Sequence, residues 1–288
     1  MERTEARPGP AGAAGDGRWR PPSVWLQELS WDQVRDYLDR DDLILLPVGS
    51  TEQHGQHLPT GTDSMTAIGL AQDAAQAAVA LVAPPLWYGW SPHHLAYPGT
   101  ITLVPEHLAA IVVDVGKSLA YSGFGHLVIV NGHREANLAP LKIAQTRLVN
   151  ETGQSVVIVD PYYFGATTAI AQRGSAPGGI GHADELETGH MMHLHPQLVR
   201  MERAVRNMPP QARWFVGDPY VPGDRAFGAA SIEDFRSRTT PSGVSGDPLP
   251  ASAEKGSAYH RRMVDDLVGL IQQLREVKVR LKSFAPPI

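Results

Sequence analysis

The clearest indication of the fold is the segment Leu43-Ile44-Leu45-Leu46-Pro47-Val48-Gly49-Ser50. It is a short, continuous apolar run that ends in small, turn-forming residues. Strands covered on both faces have this pattern, because helices pack over both sides of a parallel sheet and exclude water from it. We therefore predict a buried parallel strand here. The segment after it is where α/β proteins place their ligands.

Helical and strand-like segments alternate along the rest of the chain. Helical spacing of apolar residues is found in residues 25–40, 64–80, 106–122, 137–150 and 251–282. Further strand-like runs cover residues 81–86, 126–130 and 155–160. This alternation predicts βαβ units and an α/β fold, with a mostly parallel sheet flanked by helices on both faces. Residues 214–250, rich in Gly, Pro and Ser, are expected to form loops or an insertion.

The composition limits the classes of partner and of chemistry. The formal net charge is -5, and no dense run of Lys or Arg occurs, so neither nucleic acid nor an anionic membrane surface is an expected partner. A small molecule or a short peptide is favoured as substrate. The chain has no cysteine, which excludes disulfides and thiolate nucleophiles. Any metal must therefore be held by His, Asp and Glu.

The composition and length of the chain also predict its domain organisation. Residues 1–22 are rich in Gly, Pro and Ala and lack the apolar stretch of a signal peptide, so we predict a disordered N-terminal tail. Residues 23–288 are predicted to form a single catalytic domain. No later segment has the roughly 18 uninterrupted apolar residues that a membrane span requires. The expected location is the cytoplasm.

Three ligand-type side chains crowd the segment after the first strand. Glu52 and His54 lie two residues apart, and such side chains project to the same side of an extended segment. Asp63 follows a turn-rich stretch that could fold back, and a carboxylate can bridge two divalent ions. A hydrolytic site in which two metals share a hydroxide needs such a bridge. A solvated polar loop is an equal alternative for this segment taken alone.

A second polar segment repeats the arrangement after another apolar strand: Asn131-Gly132-His133-Arg134-Glu135-Ala136-Asn137. His133 and Glu135 again lie two residues apart, and Asn137 is expected to cap the following helix. The two segments together supply three carboxylates and two imidazoles, a set that suits Zn²⁺ or Mn²⁺. The predicted metal ligands are Glu52, His54, Asp63, His133 and Glu135.

A third polar segment, Gly181-His182-Ala183-Asp184-Glu185-Leu186-Glu187, leads into another helix. An imidazole suits acid–base work near neutral pH, so His182 is predicted to pass a proton to a leaving nitrogen. Glu187 could be a ligand, a base or a residue that orients a ligand. Glu185 is expected to be an exposed helical carboxylate.

These motifs, in this order and spacing, resemble those of the creatininase family. The resemblance rests on Gly49-Ser50-Thr51-Glu52-Gln53-His54-Gly55 with Asp63, on Asn131-Gly132-His133, and on His182 with Glu187-Thr188. Tyr97-Pro98-Gly99-Thr100 and the late Gly243-Val244-Ser245-Gly246-Asp247-Pro248 are similar to further family segments. The similarity runs from about Trp25 to the final helix.

The resemblance implies a three-layer creatininase-like fold, usually assembled as a homohexamer, with two divalent ions, Zn²⁺ and/or Mn²⁺, at the strand ends. Carried over by position, Glu52 and His133 would hold one ion, His54 and Glu135 would hold the other, and Asp63 would bridge them.

The resemblance also implies an activity, the hydrolysis of a C–N bond in a cyclic amide or amide of a small molecule. His182 would act in this catalysis. Family members without a carboxylate at the position of Glu135 use a later glutamate as ligand. Glu187 is therefore an alternative to Glu135 as the metal ligand, and it is a candidate catalytic residue if Glu135 is the ligand.

The substrate is predicted only as a class. Relatives act on creatinine, formamides, a cyclic sugar ketone and a peptide C-terminus, so hydrolysis of a keto-sugar (inosose) or of a peptide C-terminus is an alternative. A non-catalytic metal-binding scaffold is a second alternative. Arg134 replaces an aromatic residue of creatininase itself, and its guanidinium favours a substrate with a carboxylate or hydroxyls over cationic creatinine. Trp90, His94 and Tyr97 are predicted to line the pocket, with packing or an oligomer contact as the alternative for Trp90.

Overall fold

The computed structural model describes residues 19–208, 210, 214, 217–222, 226 and 228–287. Most of the predicted tail, residues 1–18, lies outside the described residues. Trp19, which was assigned to the tail, packs its ring 6.3 Å from the ring of Tyr37. None of the described helices is long and apolar enough to cross a membrane.

The described strands form a parallel sheet in the order β2-β1-β3-β4. Their bounds are β1 Leu43–Val48, β2 Leu81–Val82, β3 His126–Asn131 and β4 Ser155–Val159. β1 and β3 occupy the centre, and their pairing joins Val48 to Asn131, the last residue of each strand. Because the two strands end level, the segments that follow them begin side by side.

The described residues include eight α-helices. Their bounds are α1 Trp31–Leu38, α2 Thr62–Ala78, α3 Pro105–Ser122, α4 Arg134–Thr152, α5 Ala166–Gln172, α6 Glu185–Leu194, α7 Ile232–Thr239 and α8 Ala253–Arg275. A short 3-10 helix, Pro92–Ala96, lies between β2 and α3. The α/β alternation predicted from the sequence is therefore confirmed.

The sheet is the middle of three layers. Leu43 and Leu45 of β1 face a core that they share with α2, α6 and α8, whereas Ile44 and Leu46 face a second core with α3 and α4. All four side chains are fully buried, and each burial stabilises the fold by about 1.5–3 kcal/mol. The continuous apolar run of β1 thus has a physical cause, since both of its faces are covered by helices.

Several segments differ from the sequence prediction. β2 is only two residues long, because Pro84 and Pro85 have no N–H to continue the ladder. The segment 214–250 contains a helix, α7. α4 begins at Arg134, so Asn137 lies inside the helix and the prediction that it caps the helix is wrong. Asn137 instead accepts a hydrogen bond from the Trp90 N–H and donates one to the Gly49 carbonyl.

His126, the first residue of β3, connects the sheet to the C-terminal segment. Its Nδ1 lies 2.7 Å from Asp42 Oδ1, and its Nε2 lies 3.0 Å from the carbonyl oxygen of Val277. Both partners are acceptors, so both ring nitrogens must donate and the ring is charged when both bonds form. The hydrogen bond to Asp42 raises the pKa of His126 above its ordinary value, although burial opposes the shift.

Asp42→Asn should therefore destabilise the protein more at about pH 5.5 than at about pH 9. The pKa of His126 is higher in the folded protein than in the unfolded chain. The resulting stabilisation is complete at pH values below the unfolded-state pKa, and it is lost as the pH rises through the folded-state pKa. The Asp42 side chain is 40% exposed, so we expect a loss of about 1 kcal/mol at the lower pH. Urea unfolding at both pH values measures it, with Asp114→Asn on exposed α3 surface as control. Equal losses at both pH values would contradict the charged hydrogen bond.

Candidate metal centre and active site

The polar segments singled out in the sequence meet at the carboxyl ends of β1 and β3. Glu52 and His54 lie in the loop after β1, Asp63 lies in the first turn of α2, and His133 is the N-cap of α4 after β3. The first three of these residues are at most 2% exposed. A cluster of charged and polar groups is thus held out of water at the edge of the sheet.

Two glycines allow α2 to enter this edge. A Cβ on Gly49 would lie 2.4 Å from Ser64 Cα, and a Cβ on Gly132 would lie 2.0 Å from the carbonyl oxygen of Asp63. Both distances are far shorter than a van der Waals contact, so any side chain would push the first turn of α2 away. Asp63 therefore stands between the two strand ends because the loops on either side begin with glycine.

The Asp63 carboxylate contacts an imidazole with each of its oxygens. Oδ1 lies 3.0 Å from His54 Nε2, and Oδ2 lies 3.0 Å from His133 Nδ1. The Glu52 carboxylate lies on the other side of His133, with Oε2 3.1 Å from His133 Nε2. Its Oε1 lies 3.2 Å from Nε2 of His94, which the 3-10 helix contributes. His94, predicted to bind substrate, is therefore part of the buried cluster.

The donor set fits a divalent metal. Among the described residues, three groups have ligand atoms within 4.8 Å of one another: Glu52, Asp63 and His133; His54, His182 and Glu187; and Glu52, His94 and His182. Within the described part of the chain, both oxygens of Glu52, Nε2 of His54 and Oδ2 of Asp63 are buried without a hydrogen bond of acceptable geometry. Buried polar atoms are rarely left so, and a cation between them would satisfy these atoms together.

Charge interactions within the cluster shift the ionisation of its members. Burial opposes the charged forms of the imidazoles, but Asp63 raises the pKa of His54 to about 10, and Glu52 together with Asp63 raises the pKa of His133 to about 9. Burial raises the pKa of Glu52 to about 7. The two imidazoles thus carry protons that a metal must displace, as is usual where metal binding and protonation compete.

Glu187 reaches this cluster from the first turn of α6. Its Oε2 lies 3.8 Å from His54 Nε2 and accepts a hydrogen bond from the Ala183 N–H at 2.6 Å. The Tyr162 hydroxyl lies 3.0 Å from its Oε1. Burial, with the neighbouring Asp184 carboxylate, raises the pKa of Glu187 to about 8. Glu187 is thus held by two hydrogen bonds beside a predicted ligand.

Glu135 lies elsewhere. It is the second residue of α4, and its side chain is 59% exposed with Oε1 3.6 Å from Nη2 of Arg134. Among the described residues it belongs to none of the groups that could hold a metal. The structure therefore brings Glu52, His54, Asp63 and His133 together with Glu187, and leaves Glu135 at the mouth of the site.

His182 adjoins the cluster in a defined orientation. Its Nε2 lies 2.7 Å from the backbone oxygen of Gln53, which accepts the ring N–H, and its Nδ1 faces Glu52 Oε1 at 3.6 Å. Burial and the nearby His54 hold the pKa of His182 well below its ordinary value. The ring is therefore neutral, with the lone pair of Nδ1 directed toward the buried carboxylate.

Two adjoining cavities open beside these residues. The inner cavity, about 190 Å³, is lined among others by Glu52, Asp63, Arg134, His182 and Glu187. The outer cavity, about 390 Å³, is lined among others by Trp90, Pro92, Ala136, Ala230 and Phe235. The two cavities share His93, Glu135 and Ala136 as lining residues.

The predicted substrate-binding residues are distributed over both cavities. Arg134, which has a positive φ of 27°, lines the inner cavity and stacks its guanidinium 4.3 Å from the ring of Tyr162. Trp90 lines the outer cavity. Tyr97 lies behind Phe235, with its hydroxyl 2.9 Å from Thr239 Oγ1, and is not among the described lining residues of either cavity.

Sequence reasoning missed three residues that orient the site. Gln53 donates to the Gly243 carbonyl and lies 3.0 Å from His94 Nδ1. Ser91 lies 3.3 Å from His133 Nε2. Tyr162 follows the end of β4. Because α/β proteins place functional residues after the carboxyl ends of their strands, this position could have been identified from the sequence. The prediction that Glu185 is exposed is wrong, since it is 3% exposed and pairs with Lys255 at 2.6 Å.

Fold and site together define a three-layer α/β protein with a carboxylate and imidazole centre at the edge of its sheet. A family model described as creatinine amidohydrolase matches residues 27–271. The chain belongs to the creatininase family of hydrolases.

Similar proteins have different activities. The chain is 28% identical to a 3-dehydro-scyllo-inosose hydrolase of Thermotoga maritima, over 89% of this chain and 85% of that protein. It is 34% identical to a mycofactocin precursor peptide peptidase of Mycobacterium ulcerans, over 79% of this chain and 84% of that protein. A crystal structure of creatinine amidohydrolase superposes with a TM-score of 0.72 at 29% identity, covering 89% of this chain and all of that one. Solved creatininases include a zinc–zinc mutant form and a manganese form.

The position of the two glutamates predicts different effects on metal content. Glu187→Gln should lower the amount of zinc or manganese retained after dialysis, because an amide cannot supply the carboxylate that a metal beside His54 would bind. Glu135→Gln, the matched change at the mouth of the site, should leave the metal content unchanged. Elemental analysis of both purified variants measures this. Loss of metal in Glu135→Gln with full content in Glu187→Gln would reverse the assignment.

Proposed function

We propose that the chain is a binuclear, metal-dependent hydrolase that cleaves the C–N bond of an amide or cyclic amide. The observation that carries this proposal is Asp63, a buried carboxylate whose two oxygens face two different imidazoles, those of His54 and His133. A carboxylate in that position can be shared between two ions. The proposal takes zinc or manganese as the metal, in line with the forms in which related creatininases were solved.

The residues divide into two ligand sets around Asp63. Glu52 and His133 would hold one ion, and His54 and Glu187 the other, with Glu135 as the alternative in the second set. Divalent ions in such a site lower the pKa of a bound water and polarise a carbonyl. The protein excludes bulk solvent around them, since the ligand side chains are 0–15% exposed.

His182 is proposed to move the proton. Its Nε2–H is engaged by the Gln53 carbonyl, so Nδ1 is the free basic atom, and it lies on the side of the cluster. In amide hydrolysis this atom would accept a proton from the attacking water and donate it to the departing nitrogen. Gln53, which anchors the ring through its backbone, would hold it in that tautomer.

A second candidate function follows from Arg134, whose buried Nε has no hydrogen-bond partner among the described residues. A guanidinium that lines the inner cavity favours a substrate with a carboxylate or several hydroxyls. Hydrolysis of a cyclic keto-sugar, as in the relative named an inosose hydrolase, or of a peptide C-terminus, is therefore the alternative. A screen of cyclic amides, short peptides and keto-inositols with the metal-loaded protein tests these alternatives. Absence of any turnover would leave the non-catalytic scaffold.

The family resemblance also supports proposals about organisation. We propose that residues 23–288 act as one catalytic domain, that the chain assembles as a homohexamer, and that it works in the cytoplasm on a small molecule. Several large apolar side chains are exposed on the described surface, among them Trp31, Tyr121 and Tyr163. Such side chains are candidates for contacts between subunits, and light scattering of the purified protein measures the assembly.

Asp63→Ala should abolish both metal content and turnover. Removing the shared carboxylate leaves two buried imidazoles without their counter-charge, and we expect activity to fall by at least about a hundredfold. Elemental analysis and an amide hydrolysis assay measure the two effects, with exposed Asp114→Ala as the control. A fully active, metal-free Asp63→Ala protein would end the proposal.

His182→Gln should separate proton transfer from metal binding. A glutamine keeps hydrogen-bonding capacity but cannot shuttle a proton, so kcat should fall by about 10²–10⁴ while metal content is retained. Kinetics and elemental analysis of the same preparation give both values. If the variant loses metal in proportion to activity, His182 is a ligand and the proposed role is wrong.

A further inference from the structure

The proposed reaction takes place at the inner cavity and assigns no part of the substrate to the outer cavity. Its volume of about 390 Å³ lies within the range of pockets that bind drug-sized ligands, about 300–1,000 Å³, whereas the inner cavity of about 190 Å³ lies below it. A compact substrate would occupy the inner cavity alone. The outer cavity therefore provides room for a second, larger part of the substrate.

The wall of the outer cavity is largely apolar. Its apolar lining residues are Trp90, Pro92, Ala136, Ala229, Ala230 and Phe235. Among the described lining residues, only Glu135 and the exposed Arg238 carry a charged group. Rings and methyl groups of this kind favour an apolar or aromatic group, which gains free energy by leaving water.

The outer cavity lies on the His182 side of the site. Phe235, which lines it, packs its ring 4.6 Å from His94 and 6.2 Å from His182. Ser245, another lining residue, pairs with His182 through two backbone hydrogen bonds. The proposed function gives His182 the task of donating a proton to the departing nitrogen. A substituent on that nitrogen would consequently project toward the outer cavity.

We propose that the outer cavity is a leaving-group subsite and that the substrate is an amide whose nitrogen carries a large apolar group of about the size of an aromatic ring. This inference rests on the proposed function, which determines that the nitrogen end of the cleaved C–N bond faces the outer cavity. In the reaction, the oxygen of water bonds to the carbonyl carbon and the C–N bond breaks, with its electron pair staying on nitrogen. The proton that water loses passes through His182 to that nitrogen. The product retained in the outer cavity is an apolar amine.

The experiment compares two amides that share an acetyl group, N-methylacetamide and N-benzylacetamide, on the metal-loaded protein. The benzyl compound should bind and react about tenfold to a hundredfold better, the factor expected from burying a ring of that size. Ala230→Phe adds a ring to the wall of the outer cavity, and Ala230 is not a lining residue of the inner one. This variant should bring the ratio of benzyl to methyl compound, in binding and in turnover, to about one. Ala139→Phe, at an exposed position of α4 that lines neither cavity, is the matched control.

The outcomes separate this inference from the proposed function. Binding of both amides is measured by calorimetry alongside turnover. Tighter binding of the benzyl compound that Ala230→Phe removes supports the subsite, even if neither amide is hydrolysed. The missing hydrolysis would in that case count against the proposed hydrolase function. Hydrolysis of both amides with a ratio near one overturns the subsite and supports the hydrolase. The subsite is also overturned if wild-type protein binds neither compound, and this comparison does not depend on whether the variant folds.

Discussion

The structure depends on burying the Asp63 carboxylate between two imidazoles. Removing such ions from water costs several kcal/mol each, and only close opposite charges or a metal offset that cost. His54 and His133 supply the charges in this chain, each with a ring nitrogen 3.0 Å from a carboxylate oxygen. This requirement constrains the positions of β1, α2 and β3. His54 lies in the loop after β1, Asp63 lies in α2, and His133 follows β3.

The backbone meets this constraint through small residues and level strands. Gly49 and Gly132 leave space for the first turn of α2, and Asn137 ties the Gly49 carbonyl to the loop that carries Trp90. The alanines of α2 let that helix lie close to the sheet, with Ala67, Ala71 and Ala74 fully buried. The apolar layers thus fix the sheet edge firmly enough to hold charged groups without solvent.

The sequence predicted the sheet, the layers and most of the cluster, because their signals are local. Glu52 and His54, two residues apart in the loop after β1, both reach the cluster, as their spacing predicts. The same spacing in His133 and Glu135 means something else, since α4 begins at Arg134 and helical residues turn by about 100° each. The Glu135 side chain is accordingly 59% exposed and stands outside the buried cluster that contains His133. Packing decides whether the helix begins three residues after β3, at Arg134, or six residues after it, at Asn137, and the spacing of polar residues alone does not report this.

The cavities show why substrate is harder to predict than metal. Glu52, His54 and His133 of the metal cluster lie in short segments that follow strands, so a strand prediction locates them. The outer cavity joins Trp90 and Pro92 to Ala230 and Phe235, which lie far apart in the chain and come together only through tertiary packing. Such walls can change without disturbing the sheet edge, because Phe235 and Ala230 belong to no strand. Relatives named for an inosose, a peptide and creatinine fit this division, since one edge of a sheet can serve several differently shaped cavities.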